Sequence, residues 1–382
     1  MKKLIYILNQ YSNKEGSHFY HILHLLEEMA KNEVDIKLII EKATDIPNFD
    51  IPNIEVMAQK QNGFRRPIEL FLILKRLNQR GYKKTFIRIS QNGAIPAIVV
   101  SKLYGGEVYY WQSGTTHETE KEKAFDFKRF LKSELPFNIV KRFTNYFVTG
   151  PESMVEYYEN IVEVKKEKLI CLYNDIDISR FSIINDEDKM QLKKELNMPI
   201  DKKVILFVKR MSKIKGILFY SPFIIEQNQQ LLREKNYVCY YLGDGSEREE
   251  LEKQIKEKKL EDIVKIVGNK PNKEIQKFYQ VSDMFINPTL EEGFPRVLIE
   301  AMASGLPTVT TNAGGTADII GELQSTFMVD IDSREGFAIK LKELIDNKEM
   351  QQKISAENIS QVKKFSTENV AQMYIREIFR ND

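Results

Sequence analysis

Short β-rich runs alternate with helical patterns along the chain, and this alternation limits the possible folds more than any other feature. "LIYIL" (Leu4–Leu8) is followed by the helical pattern "HFYHILHLLEEMAK" and then by "VDIKLII" (Val34–Ile40). That is the βαβ rhythm of a parallel sheet covered by helices on both faces. The rhythm restarts after "NDIDISRF" (Asn174–Phe181). A charged helix near Glu187–Leu196 leads into the strand-like runs Lys203–Val208, Tyr237–Leu242, Ile263–Val267 and Asp283–Asn287. Two α/β domains are expected, divided near residues 174–182, and 382 residues exceed the length at which one core usually stops growing. The segment Thr367–Phe379 reads as a closing helix. No short-period repeat or low-complexity tract interrupts the pattern.

Composition narrows the function classes. Lys and Arg number 57 against 55 Asp and Glu, a formal charge of +2, so no bulk field draws the chain to a polyanion, and nucleic acid is not an expected partner. Cys171 and Cys239 are far apart and lack metal-ligand spacing, which suits a reducing, cytoplasmic compartment. The start "MKKLIYILNQY" has the basic tip of a signal peptide, but its apolar run is short and no small-residue cleavage site follows, so it reads as a strand. No apolar run approaches the roughly 18 to 20 residues of a membrane helix.

The stretch "EEGFPRVLIEAMASGLPTV" (Glu291–Val309) carries the chemistry. Pro295 suits the first position of a helix and Gly305 with Pro307 its stop, which predicts a helix over Pro295–Ser304. The loop Glu292–Phe294 then lies at the positive end of that helix, where amides at Phe294, Arg296 and Val297 offer an anion site. Glu300 lies one turn further on and leans back toward those amides. A carboxylate does not bind phosphate, but it accepts hydrogen bonds from sugar hydroxyls, and a nucleotide sugar offers them on two rings. "VKRMSKIKG" places Arg210 and Lys215 directly after the first strand of the second half, at the carboxyl edge where open α/β sheets bind ligands. Two fixed cations there can neutralise a departing diphosphate. "LGDGSEREELE" adds a turn at Gly243 and Gly245, with Ser246 expected to cap the next helix.

Taken together, these residues resemble the family 4 retaining glycosyltransferases, and the resemblance is densest from Asn174 to Ile320. It implies an α/β GT-B architecture, two Rossmann-like doubly wound parallel-sheet domains facing a central cleft. Residues 1–178, joined by a C-terminal helix at 365–382, would bind the acceptor, and residues 179–364 the nucleotide-sugar donor. That family pairs two glutamates eight positions apart, as Glu292 and Glu300 are. By resemblance Glu292 contacts the donor sugar, Glu300 the ribose, and the stretch Gly293, Phe294, Pro295, Arg296 and Val297, through the amides it carries, the sugar and diphosphate. Arg210 and Lys215 fall on the pair that holds the diphosphate. Gly268, Asn269 and Lys270 fall on a base-contacting loop, Gly16 and Ser17 on a glycine-rich loop, and His117 on a histidine of the first domain. Gln112 and Ser113 are alternatives to His117. Two departures stand out. Lys209 replaces the glycine that commonly precedes the arginine, and Ser17 fills a second glycine place.

The resemblance implies a metal-independent retaining hexosyltransferase of bacterial polysaccharide or glycolipid assembly, with no cofactor beyond a nucleoside-diphosphate sugar, UDP favoured over GDP. An epimerase of the same fold and a non-catalytic nucleotide-binding subunit are the alternatives. His18, His21 and His24 step around the helix too widely for one metal site, and Asp175/Asp177 and Asp330/Asp332 read as caps or turns. Phe64–Lys84 holds seven basic residues against Glu69 alone, interleaved with Phe71, Leu72, Leu74 and Leu77. With Phe127–Phe143 it is expected to form a rim for anionic lipid on the cytoplasmic membrane face, the acceptor then being lipid-linked rather than a free saccharide.

Overall fold

The computed structural model describes residues 1–12, 20–61, 63, 65–114, 126–127, 130–380 and 382, apart from the side chains of Tyr20 and His21. The chain divides into two compact units. One comprises Met1–Asp175 with Thr367–Asp382, the other Ile176–Ser366. The sequence reading set the divisions at 178/179 and 364/365.

The first unit holds a seven-stranded sheet in the order β3-β2-β1-β4-β5-β6-β7, and all its pairings are parallel. Its strands are β1 (Lys2–Leu8), β2 (Val34–Ile40), β3 (Ile54–Ala58), β4 (Lys84–Arg88), β5 (Glu107–Trp111), β6 (Tyr146–Thr149) and β7 (Leu169–Cys171). Alternation along β1 divides the core. Leu4, Tyr6 and Leu8 pack with Ile22, Leu26 and Met29 of the Tyr20–Lys31 helix and with Val370 and Tyr374 of the Thr367–Ile378 helix. Ile5 and Ile7 face the other way, onto Leu70, Leu74, Ala97, Phe137 and Val140 of three helices, Arg65–Gln79, Gln91–Tyr104 and Leu135–Phe143. A strand covered on both faces must be apolar at nearly every position, which is why these runs are so legible.

One charged side chain is set into this core. Arg88, 3% exposed at the end of β4, stacks its guanidinium 3.9 Å from the centroid of the Trp111 ring. It hydrogen-bonds Asn174 and lies beside Asp175, Tyr6 and Tyr374. Thr367 Oγ1 donates to Asp175 Oδ2 at 3.0 Å. The cluster therefore ties together the two chain positions at which the unit is left and re-entered.

The second unit holds a six-stranded parallel sheet, order β10-β9-β8-β11-β12-β13. Its strands are β8 (Lys203–Val208), β9 (Tyr237–Leu242), β10 (Val264–Gly268), β11 (Met284–Asn287), β12 (Thr308–Thr311) and β13 (Met328–Val329). Ile205, Phe207, Cys239, Tyr241, Met284 and Ile286 pack against Tyr220, Ile224, Leu251 and Leu341 of the flanking helices. Both sheets are doubly wound: from the first strand the chain builds one way, returns, and builds the other way.

Three local expectations are corrected. The helix after β11 runs Arg296–Ala303, with Pro295 as its N-cap rather than its first residue. Ser246 does not cap the next helix, which runs Arg248–Glu257 behind Glu247. The Arg296 amide donates to the Phe294 carbonyl at 2.9 Å, so it is not part of an open amide row. The Val297 amide makes no backbone hydrogen bond among the described residues.

Candidate functional site

The site candidates of the second unit gather at the carboxyl edge of its sheet, where β8 and β11 lie side by side and the winding reverses. Such a reversal opens a crevice that backbone does not fill. The loops around it are fitted to each other at glycines. A Cβ at Gly243, whose φ is +130°, would stand 1.9 Å from the Lys209 carbonyl oxygen. The Gly243 amide donates to the Gly268 carbonyl at 3.0 Å, and the Met211 amide to the Asp244 carbonyl at 3.0 Å. Gly243 and Gly268 thus set the spacing of three neighbouring loops. Asn269 is exposed and Lys270 half-buried beyond β10.

The loop after β11 is held from β12. Thr289 and Thr311 exchange hydrogen bonds, with the Thr289 amide 3.0 Å from Thr311 Oγ1 and that hydroxyl 2.7 Å from the Thr289 carbonyl. The Gly315 amide donates to the Gly293 carbonyl at 2.9 Å. A Cβ at Gly314 would lie 2.0 Å from the Glu292 carbonyl oxygen. Glu292 is therefore presented from a loop with little freedom.

Its carboxylate meets two cations. Lys209 Nζ is 2.8 Å and Lys215 Nζ 3.3 Å from Glu292 Oε2. Lys215 also donates to the Glu291 carbonyl at 2.8 Å, and Lys209 to Asn287 Oδ1 at 2.9 Å. Burial acts to raise the Glu292 carboxyl, but Lys209 and then Lys215 outweigh it and hold the group below the ordinary carboxylate value. Lys209 is itself pulled below the ordinary lysine value, by burial first and by Lys215 as a like charge. Arg210 is exposed and forms no ion pair among the described residues. Glu300 stands half-buried beside Tyr279, whose hydroxyl is 3.3 Å from the Val297 carbonyl. Burial raises the Glu300 carboxyl, and Arg296, Tyr279 and Arg180 oppose that rise.

Lys215, Glu292 and the loop from Gly293 are thus brought together as the sequence reading expected. Lys209 and Asn287, which complete the cluster, were missed as side chains. The available signal was that each is a polar residue closing an apolar strand run. Gly16, Ser17 and His117 lie outside the described residues, as does His18. His24 pairs with Glu27 at 3.5 Å. Asp175 accepts from Thr367, and Asp177 caps the turn at Ser179, with 3.2 Å to its amide.

The first unit has its own buried carboxylate at its carboxyl edge. Glu41, 5% exposed, faces the Ser90 hydroxyl at 2.8 Å, and a Cβ at Gly93 would stand 2.3 Å from Glu41 Oε1.

The family model "Glycosyl transferases group 1" matches residues 188–361. The chain is 30% identical over 149 residues to the "Putative teichuronic acid biosynthesis glycosyltransferase TuaC" of Bacillus subtilis (strain 168), covering 39% of this chain and 34% of that one. It is 24% identical over 238 residues to the "D-inositol 3-phosphate glycosyltransferase" of Corynebacterium urealyticum, covering 61% and 56%. The matches thus span about half or less of these curated relatives' length. Among solved structures, Anabaena HepE in complex with UDP and glucose covers 100% of both chains with a TM-score of 0.73 at 18% identity. A likeness of that kind speaks to fold, and the two parallel-sheet units are those of a GT-B fold. The loops at the β8–β11 reversal therefore lie within the stretch that the glycosyl transferases group 1 model matches, residues 188–361, in a chain of GT-B fold.

Proposed function

We propose that the protein is a retaining, metal-independent glycosyltransferase that moves a sugar from a nucleoside-diphosphate sugar, UDP in preference to GDP, to an acceptor hydroxyl. The observation that carries this reading is the convergence of Lys215 and Lys209 on Glu292 at the β8–β11 reversal. In this reading Arg210 and Lys215 meet the diphosphate, Glu292 the donor sugar and Glu300 the ribose. The bond from the anomeric carbon to the diphosphate oxygen breaks as the acceptor oxygen bonds on the same face. The departing phosphate oxygen takes the acceptor proton. The protein contributes positioning and preorganised charge. The UDP and glucose held by HepE support the donor class, and the role in teichuronic acid biosynthesis named for TuaC supports a saccharide or lipid-linked acceptor in polysaccharide assembly.

The test is to incubate the protein with UDP- and GDP-sugars, with and without candidate acceptors, and to assay free nucleotide and product. Acceptor-dependent nucleotide release is expected. Conversion of the donor without any acceptor marks an epimerase, and binding without release a non-catalytic subunit. Either result overturns the reading.

A peripheral membrane contact belongs to the same proposal. Helix Gln91–Tyr104 packs between Arg65–Gln79 and Leu135–Phe143. The outer sides of these helices expose Ile68, Leu72, Leu103 and Leu135 beside Arg65, Arg76, Lys102 and Arg142. No helix among the described residues is long and apolar enough to cross a membrane. An apolar and basic face of this kind suits anionic lipid heads. Co-sedimentation with anionic vesicles is expected for the wild type and is expected to be lost on charge reversal of Arg65, Arg66, Lys75 and Arg76. Absence of wild-type binding defeats the idea.

A further inference from the structure

Lys209 closes β8 where the sheet reverses, and its side chain turns a two-member ion pair into a braced network. Asn287, at the end of the adjacent β11, is held by donating from Nδ2 to Thr310 Oγ1 at 3.0 Å. Its Oδ1 then accepts from Lys209 at 2.9 Å, and Lys209 reaches Glu292 Oε2 at 2.8 Å. The bracing runs from β12 through β11 to the Glu292 loop, entirely through buried or half-buried groups. Lys215 meets the same oxygen, Oε2, at 3.3 Å. Oε1 makes no hydrogen bond among the described residues.

We propose that Lys209 is a positioning residue for the donor site, pinning one oxygen of Glu292 and keeping the carboxylate ionised so that Oε1 is left to accept a hydroxyl of the donor sugar. The inference rests on the proposed transferase reading. Its physical basis is that a carboxylate withdrawn from water stays charged only where opposite charge is close. The charged groups facing Glu292 are Lys209 and Lys215, both from the segment after β8, with Glu291 beside it in its own loop. The turn Asn312–Gly315, packed on the Glu292 loop from β12, brings no titratable group. Without Lys209, burial is opposed by Lys215 alone, and protonation of Glu292 moves to higher pH.

The experiment is the pH dependence of kcat/KM for sugar transfer by wild type and by Lys209→Met, which keeps side-chain length and removes the charge. The acid limb is expected to move up by about one pH unit, giving about tenfold less activity at the acid end relative to each enzyme's own plateau. A merely structural role for Lys209 would lower activity or thermal stability at every pH and leave the limb in place, and that result overturns the inference. Should Lys209→Met not fold, Asn287→Asp serves instead. It has the shape of the native residue and offers Lys209 a competing carboxylate, so the limb is expected to move in the same direction, and a stationary limb again overturns the inference. Calorimetric binding of UDP to the wild type separates the two levels of the argument. A wild type that neither binds UDP nor turns over any donor removes the transferase reading together with this inference. An active wild type with an unmoved limb in the variant removes this inference alone.

Discussion

Replacing Lys215 by alanine is expected to lower kcat/KM for sugar transfer by about 2 to 4 kcal/mol of transition-state stabilisation, on the order of 30-fold to 1000-fold. Lys215 follows the short turn after β8, and its ammonium is fixed by the Glu291 carbonyl at 2.8 Å and Glu292 at 3.3 Å. In the proposed reading, a cation fixed before the reaction needs no reorganisation as charge develops on a departing diphosphate, and this is why a single deletion should cost so much. The loss in fold stability should be the smaller effect, because Lys209 still pairs Glu292 at 2.8 Å when Lys215 is removed. Kinetics and urea unfolding measured on the same preparation separate the two effects. Transfer at the wild-type rate by Lys215→Ala removes Lys215 from the donor site and takes the charge argument with it.

The largest expected effect on stability lies in the other unit. Arg88→Ala removes a guanidinium from a site that is 3% exposed, leaving Asn174 without its donor and the buried Asp175 without the nearby positive charge. Leaving a buried carboxylate uncompensated costs up to about 3 to 5 kcal/mol. The chain contains a single tryptophan, Trp111, and Arg88 stacks 3.9 Å from the centroid of its ring. Its fluorescence therefore reports the unfolding of the first unit selectively. A Trp111 transition displaced to clearly lower urea is expected. A midpoint unchanged from wild type would show that the Arg88 cluster contributes no net stability. The position of the cluster adds a local consequence. Thr367, through Asp175, belongs to it and begins the returning helix, so faster hydrogen exchange should be concentrated in Thr367–Ile378.

How much of this was legible beforehand depends on which residues are asked about. The runs Val34–Ile40, Lys203–Val208 and Tyr237–Leu242 read as strands from end to end and are strands with those limits. A parallel strand between two helix layers imposes apolarity on both faces, and that leaves an unbroken mark in the chain. Helix starts were less legible. Pro295 is compatible with the first helical position, but the bond from the Arg296 amide to the Phe294 carbonyl leaves it outside as the cap. Ser246 is a good capping residue in isolation, yet the Glu247 amide is drawn instead to the Met211 carbonyl at 3.1 Å. In both cases a contact made by a neighbouring residue, weak as a pattern in the chain, sets the boundary.

Lys209 shows the limit most clearly. As a letter it departs from a glycine place and reads as a matter of backbone approach. In the fold its ammonium is buried between Asn287 and Glu292. The alternation of apolar runs and helical patterns, local in the chain, determined by itself that this protein builds two doubly wound parallel sheets. Glu292 and the basic loop after β8 marked a cluster of charge that the fold does assemble. Tertiary structure alone decided which charges meet. The reversal of winding brings β8 beside β11, residues 78 positions apart come within hydrogen-bonding distance, and burial there turns a lysine that would be solvated elsewhere into the partner of a carboxylate.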